Sequence, residues 1–128
     1  MGRVPARRRV DPAEGSAALA AARSAGFEAQ QVGRTVLGTA VRYALEEFAA
    51  RHPGRSVELR VPPYGAVQCL EGPRHTRGTP PNTFETDART WLLLVEGGLT
   101  WGEALGSGAV RASGHRADLG ALLPLSGL

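Results

Sequence analysis

The sequence predicts an α+β domain, and three observations carry that reading. Residues 35–52 repeat Val36, Leu37, Ala40, Val41, Ala44, Leu45, Phe48 and Ala49 at helical spacing. Residues 56–61 alternate instead, with Val57, Leu59 and Val61 on one side and Glu58 and Arg60 on the other. From Asp87 onward, glycines cut the chain into short pieces that read helix, helix, strand, helix. Together these give N-terminal helices, a small, mostly antiparallel sheet, and short C-terminal helices covering one face. A chain of 128 residues fits one domain. It is expected over residues 11–128, behind an Arg-rich arm of residues 1–10.

The arm holds Arg3, Arg7, Arg8 and Arg9 around Pro5 with no apolar period, the composition of a disordered segment. Asp11 then caps a first helix, with Pro12 at its first position and Glu14 placed to complete a capping box. The Ala-rich run 17–22 carries that helix to Gly26, and residues 27–33 read as a connector. In the helix over 35–52, Arg42, Glu46, Glu47 and Arg51 lie mainly off the apolar face. That polar face is mixed in sign, which suits core packing better than a membrane surface. Pro53 and Gly54 end it. After the strand at 56–61, Pro62 and Pro63 stop the ladder, and residues 64–70 return as a second strand. Val67 and Cys69 share a face there, so Cys69 reads as a small buried hydrophobe. Residues 83–86 form a third, short strand.

Asp87 is an N-cap, and Trp91, Leu92, Leu94 and Val95 make an apolar side that Gly97 and Gly98 terminate. Thr100 with Glu103 is a capping box for a second short helix, ended by Gly106 and Gly108. Residues 109–113 form a strand closed by Gly114. Residues 118–123 are a last helical turn or two, cut by Pro124.

Between the second and third strands, residues 71–82 gather Arg74, His75 and Arg77 beside Thr76, Thr79 and Asn82. Guanidinium groups with hydroxyl and amide donors suit an anionic head group, a carboxylate or a phosphate. The same arginines would equally serve a structural loop by binding backbone carbonyls and Glu71 or Glu85. Both readings stay open at this point.

Composition removes several function classes. All 15 basic residues are Arg and the formal charge is +3, a balance that allows weak attraction to nucleic acid or anionic lipid. A solvated, Arg-rich surface is the plainer account. No apolar run reaches membrane-spanning length and no hydrophobic segment follows the first charges, so a cytoplasmic protein without signal peptide or transmembrane helix is expected. Cys69 is the single cysteine, which rules out an intrachain disulfide. His52, His75 and His115 are scattered and Cys69 has no partner at ligand spacing, so no metal is expected. Ser113, His115 and Asp118 crowd one turn without a nucleophile elbow. There is no phosphate loop and no dinucleotide fingerprint. Neither an enzyme nor a cofactor is expected.

The order of elements around GLTWGEALGSGAVRASG (residues 98–114) carries a family resemblance. Gly97, Gly108 and Gly114 end a helix, a helix and a strand, and the leucine run Leu119, Leu122 and Leu123 follows. This resembles the C-terminal half of the sterol carrier protein 2-like superfamily, in its small bacterial orthologue branch. The resemblance extends back through residues 72–82 and the strands before them, to about residue 11. It implies a hydrophobic tunnel between sheet and covering helices, suited to acyl chains, sterols or other apolar molecules. Trp91, Leu94, Val95, Trp101, Leu105, Leu119, Leu122 and Leu123 would line it, although in a domain this small the same residues must also supply the core. The function expected is a non-catalytic carrier domain for a small apolar or amphipathic, lipid-like ligand. Its apolar part would lie against the C-terminal helices and its polar end at Arg74, His75, Arg77 and Asn82. The alternatives are an accessory module with a closed core that binds another protein, and weak nucleic-acid binding through the arm and loop.

Overall fold

Asp11 starts the first helix, α1 (Pro12–Ser24), by accepting a hydrogen bond from the Glu14 backbone N–H at 3.2 Å. Of the expected capping box, this is the half that forms. The computed structural model describes residues 8–72, 82–114 and 118–128. Phe27, buried after the end of α1, leads into a single helical turn, α2 (Ala29–Val32), within what reads from sequence as plain connector.

The long helix α3 (Arg34–Arg51) buries Leu37, Ala40, Val41, Ala44, Leu45, Phe48 and Ala49, the stripe expected from its period. Its other neighbour is α1, which presents Gly15, Ala18, Leu19 and Ala22. The helices come so close that a Cβ at Gly15 would lie 2.3 Å from the Tyr43 ring. Arg9 and Val10 both donate backbone N–H bonds to Glu46 Oε1, at 3.0 and 3.1 Å, and Arg8 pairs with Glu47 at 3.3 Å. Residues 1–7 of the arm lie outside the described residues.

Four strands follow: β1 (Val57–Val61), β2 (Gly65–Cys69), β3 (Asn82–Thr86) and β4 (Val110–Ser113), in spatial order β2-β1-β3-β4. β1–β2 and β3–β4 are antiparallel, while the central pair β1–β3 is parallel. The sheet is therefore mixed, with two of its three pairings antiparallel. The parallel pair arises because β2 ends, and β3 begins, opposite Val57 at the start of β1. The chain steps past the end of β1 and sets off again in the direction of β1.

Period-two alternation sorts the side chains by face. Val57, Leu59, Val61, Cys69 and Phe84 point to one side and none of them is exposed. Glu58, Arg60, Ala66, Gln68, Thr83, Glu85, Arg111 and Ser113 occupy the other side, and none of them is buried. One face is thus the core face and the other is the solvated face usual for such a sheet.

Two helices complete the cover. Asp87 caps α4 (Ala88–Glu96) through its acceptor bond from Thr90 N–H at 2.9 Å, and Gly97 ends it in the left-handed conformation. The expected capping box is complete in α5 (Trp101–Gly106): Thr100 Oγ1 accepts from Glu103 N–H, and Glu103 Oε1 accepts from Thr100 N–H. The last helical turn or two expected over residues 118–123 is a single turn. Residues Gly120–Leu122 form one 3₁₀ turn. The segment is short, contains Gly120 and meets Pro124, so it is too short to carry α-helical nucleation. Ion pairs between Arg23 and Glu96 (2.5 Å) and between Arg89 and Glu28 (3.1 Å) join the α1–α2 region to α4. Among the described residues no helix is long and apolar enough to cross a membrane.

Candidate functional site

The core face of the sheet and the helices above it form the candidate site. On α4, Trp91 and Val95 lie one turn apart and both are fully buried. The Trp91 ring meets Phe48 of α3 edge-on, with centroids 5.9 Å apart and planes at 75°. Its indole Nε1–H is buried and has no hydrogen-bond acceptor among the described residues. Asp87 fixes the start of this helix with both carboxylate oxygens, taking the Thr90 N–H on one and the Thr90 hydroxyl on the other.

A second group forms on the same core face, over β3. Trp101, half-buried at the start of α5, stacks on Phe84 with centroids 4.6 Å apart and planes at 18°. The chain after β4 returns beside it: a Cβ at Gly120 would lie 3.3 Å from the Trp101 side chain, and Asp118 Oδ1 accepts the Gly120 N–H at 2.9 Å. Leu119 is fully buried, whereas Leu122 and Leu123 are half-buried. Leu125 N–H donates to the Val95 carbonyl at 3.0 Å, so the tail spans from α5 to α4. The predicted apolar residues therefore gather into two groups, Trp91 and Val95 with Phe48, and Trp101 with Phe84 and the tail. Leu94 is buried in the same core, but Leu105 is 42% exposed.

Of the predicted polar residues, Arg74, His75 and Arg77 lie outside the described residues, as does His115. Asn82 is described. It is buried, and its Nδ2 donates to the Ser56 carbonyl at 2.9 Å. The same Ser56 donates its N–H and its hydroxyl to the Leu70 carbonyl, at 3.0 and 2.9 Å. One residue at the head of β1 thus clasps the chain as it leaves β2 and again as it enters β3. Gly54 makes room for this clasp, since a Cβ there would lie 1.9 Å from the Leu70 carbonyl oxygen.

The remaining chemistry is quiet. Cys69 is completely buried, and burial pushes its thiol up to about 12, which leaves no thiolate for nucleophilic work. His52 caps the end of α3 with its ring 4.9 Å from Phe48, and burial, then the Arg51 charge, lowers its pKa. Ser113 is engaged with the Thr83 hydroxyl. Among the described residues no three His, Cys, Asp or Glu side chains converge on a metal position. An open depression of about 330 Å³ lies at the end of the sheet, lined by Pro62, Glu85, Thr86, Asp87, Gly108, Ala109 and Arg111. It is polar and includes none of the predicted ligand residues.

Two aromatic residues of the site carry no ligand-contact signal in the sequence: Phe48 reads as part of the core stripe of α3, and Phe84 as one position of a short strand. What sets Phe84 apart is its place: it is the one large apolar residue at the centre of a strand otherwise made of Asn, Thr and Glu. A comparison with curated proteins returns no match at a stringent threshold. A family model described as bacterial SCP ortholog matches residues 33–125, which takes in α3, the whole sheet, α4, α5 and the tail through Leu125 but leaves α1 and α2 before it. With that match over most of its length, the chain belongs to the bacterial SCP ortholog family, a sterol carrier protein 2-like family.

Proposed function

We propose that this chain is a non-catalytic carrier domain for a small apolar or amphipathic molecule held between the core face of the sheet and the helices above it. The family membership supports a carrier of this class. The observation that bears most directly on the ligand is the indole N–H of Trp91, a buried donor without an acceptor among the described residues, in an otherwise apolar layer. An unmet buried donor costs about 1–3 kcal/mol. A ligand oxygen brought within reach of it would remove that cost, which favours an amphipathic molecule over a plain hydrocarbon. Val95, Trp101, Leu119, Leu122 and Leu123 would flank its apolar part. Arg74, His75 and Arg77 would meet an anionic head group through charge-assisted hydrogen bonds. Asn82 would serve by anchoring the end of their loop to Ser56.

Native mass spectrometry of the freshly purified protein tests the reading by showing whether an apolar molecule accompanies it. Titration with a fatty acid or a sterol analogue then has two expected results. Tryptophan emission changes saturably, and the melting temperature rises with ligand concentration, because a ligand bound only by the folded chain stabilises it by mass action. No co-purifying molecule, no emission change and no thermal shift across both ligand classes would defeat the carrier reading. A second reading then stands, supported by the complete burial of Trp91, Val95 and Leu119 among protein side chains. In it, this is a packed accessory module whose partner is another protein.

A further inference from the structure

Resting on the carrier reading, we infer that α5 is a hinged cover and that Trp101 occupies the place on Phe84 where the flat part of an apolar ligand docks. Phe84 sits mid-strand, opposite Leu59 on one side and Ala112 on the other. It has no exposure, although Ala112 beside it is exposed. What lies over its ring is the near-parallel indole of Trp101. A tilt of only 18° between the planes defines a slot one ring thick. A planar aromatic or fused-ring group can replace an indole there and keep the stack, whereas a flexible acyl chain forfeits it.

The attachment of α5 suits such an exchange. Only Ala104 of its six residues is buried, and Leu105 projects into solvent. Trp101 is itself half-buried and stacks on Phe84, whereas the Phe48–Trp91 contact is made between α3 and α4. Gly97 and Gly98 precede the helix and Gly108 follows it, with Gly97 and Gly108 at φ 87° and 78°. Among the described residues, Cβ atoms at Gly102, Gly106 and Gly108 would meet nothing within 4 Å, so the body and far end of the helix stand free, while Gly97 and Gly98 at its near end lie against Pro124 and Leu93. Its complete capping box holds it together as it pivots. Because the covered form cannot bind, the apparent affinity is the intrinsic affinity reduced by the fraction of chains with α5 open.

Two measurements on the full chain test this. In amide hydrogen exchange, α5 should exchange well before α4, and pyrenebutyrate should accelerate α5 further. In equilibrium titration, Trp101→Ala should bind pyrenebutyrate roughly threefold to tenfold tighter, the weight of one aromatic stack, and dodecanoate should gain less. Trp101→Leu keeps an apolar cover without the stack and supplies the same comparison if the alanine variant does not fold. Protection of α5 equal to that of α4 overturns the cover while leaving the carrier reading intact. So does pyrenebutyrate binding that is unchanged or weaker in both variants. Failure of both probes to bind any form of the protein overturns the carrier reading, and the cover with it.

Discussion

Glycine is used in opposite ways at the two ends of this molecule. On and beside α3, three glycines mark where neighbours press in: a Cβ at Gly15, Gly38 or Gly54 would lie 2.3, 2.8 or 1.9 Å from Tyr43, Tyr64 or the Leu70 carbonyl, while Gly33 at its start meets nothing within 4 Å among the described residues. Within and just after α5, Gly102, Gly106 and Gly108 meet nothing within 4 Å among the described residues, while a Cβ at Gly98 before it would lie 3.1 Å from Leu93. The burial follows the same division. α3 buries nine of its residues, and α5 buries one. Burial is therefore concentrated in α3, α4, β1 and β3. α5 has few buried residues, the condition for a segment that opens locally, while the tail beside it is anchored by buried Leu119 and Leu125. Seventeen glycines in a short chain say nothing of this from composition alone. Their neighbours decide which are packing residues and which are joints.

The largest test of this division is Phe48→Ala. Phe48 is fully buried and touches both Trp91 and His52. Its loss is expected to cost about 3–5 kcal/mol in chemical denaturation, the range for a large buried aromatic. A cost below about 1 kcal/mol would mean that the heavy burial of α3 does not make it a stable part of the fold.

Next come two alanines of opposite sign. Gly54→Ala drives a methyl into the Leu70 carbonyl and loosens the Ser56 clasp, an overpacking cost of about 1–3 kcal/mol or more. Gly102→Ala adds a methyl where nothing stands, inside a helix, and should be neutral or stabilise by up to about 1 kcal/mol. Equal losses at both sites, read from denaturation midpoints, would erase the distinction between packed and open glycines. Leu122→Ala is intermediate. The side chain is half-buried on the 3₁₀ turn, so the expected loss is about 1–2 kcal/mol, below the range for a full leucine cavity. A larger loss would show that the tail is as tightly packed as α3.

How far the sequence could be read follows the same boundary. The α3 stripe, the alternation of β1 and the caps at Asp11, Asp87 and Thr100 were legible because each is local: a period or a spacing within one element. The place of β3 was not. Its parallel pairing with β1 depends on Ser56 holding Leu70 and Asn82 together, residues 14 and 26 positions from it, and no local pattern reports such a bond. The final helical turn is legible in its extent, because Pro124 cuts it, but its 3₁₀ form is not, because no side-chain period is long enough to report it. The site was half legible. Trp91 and Trp101 stood out as large residues, but their partners Phe48 and Phe84 come from other elements and only the fold brings them near.

The smallest expected effect is at His52, which reports on the end of α3 through pH. Its pKa is lowered in the folded chain from an ordinary 6.5, first by burial and then by Arg51. Above the ordinary value the imidazole is neutral in both states and contributes no pH dependence. As pH falls below it, the unfolded chain takes up the proton first, so the unfolded state binds more protons and folding stability declines. The decline continues until pH passes below the depressed folded value, where both states are charged. Stability measured by denaturation from about pH 7 to about pH 5 should therefore fall more steeply in the wild type than in His52→Gln, which keeps a polar side chain but cannot titrate. The comparison removes the carboxylates, which titrate alike in both proteins. Parallel slopes would place His52 in a more open setting than its contact with Phe48 implies, and would move the edge of the buried region inward along α3.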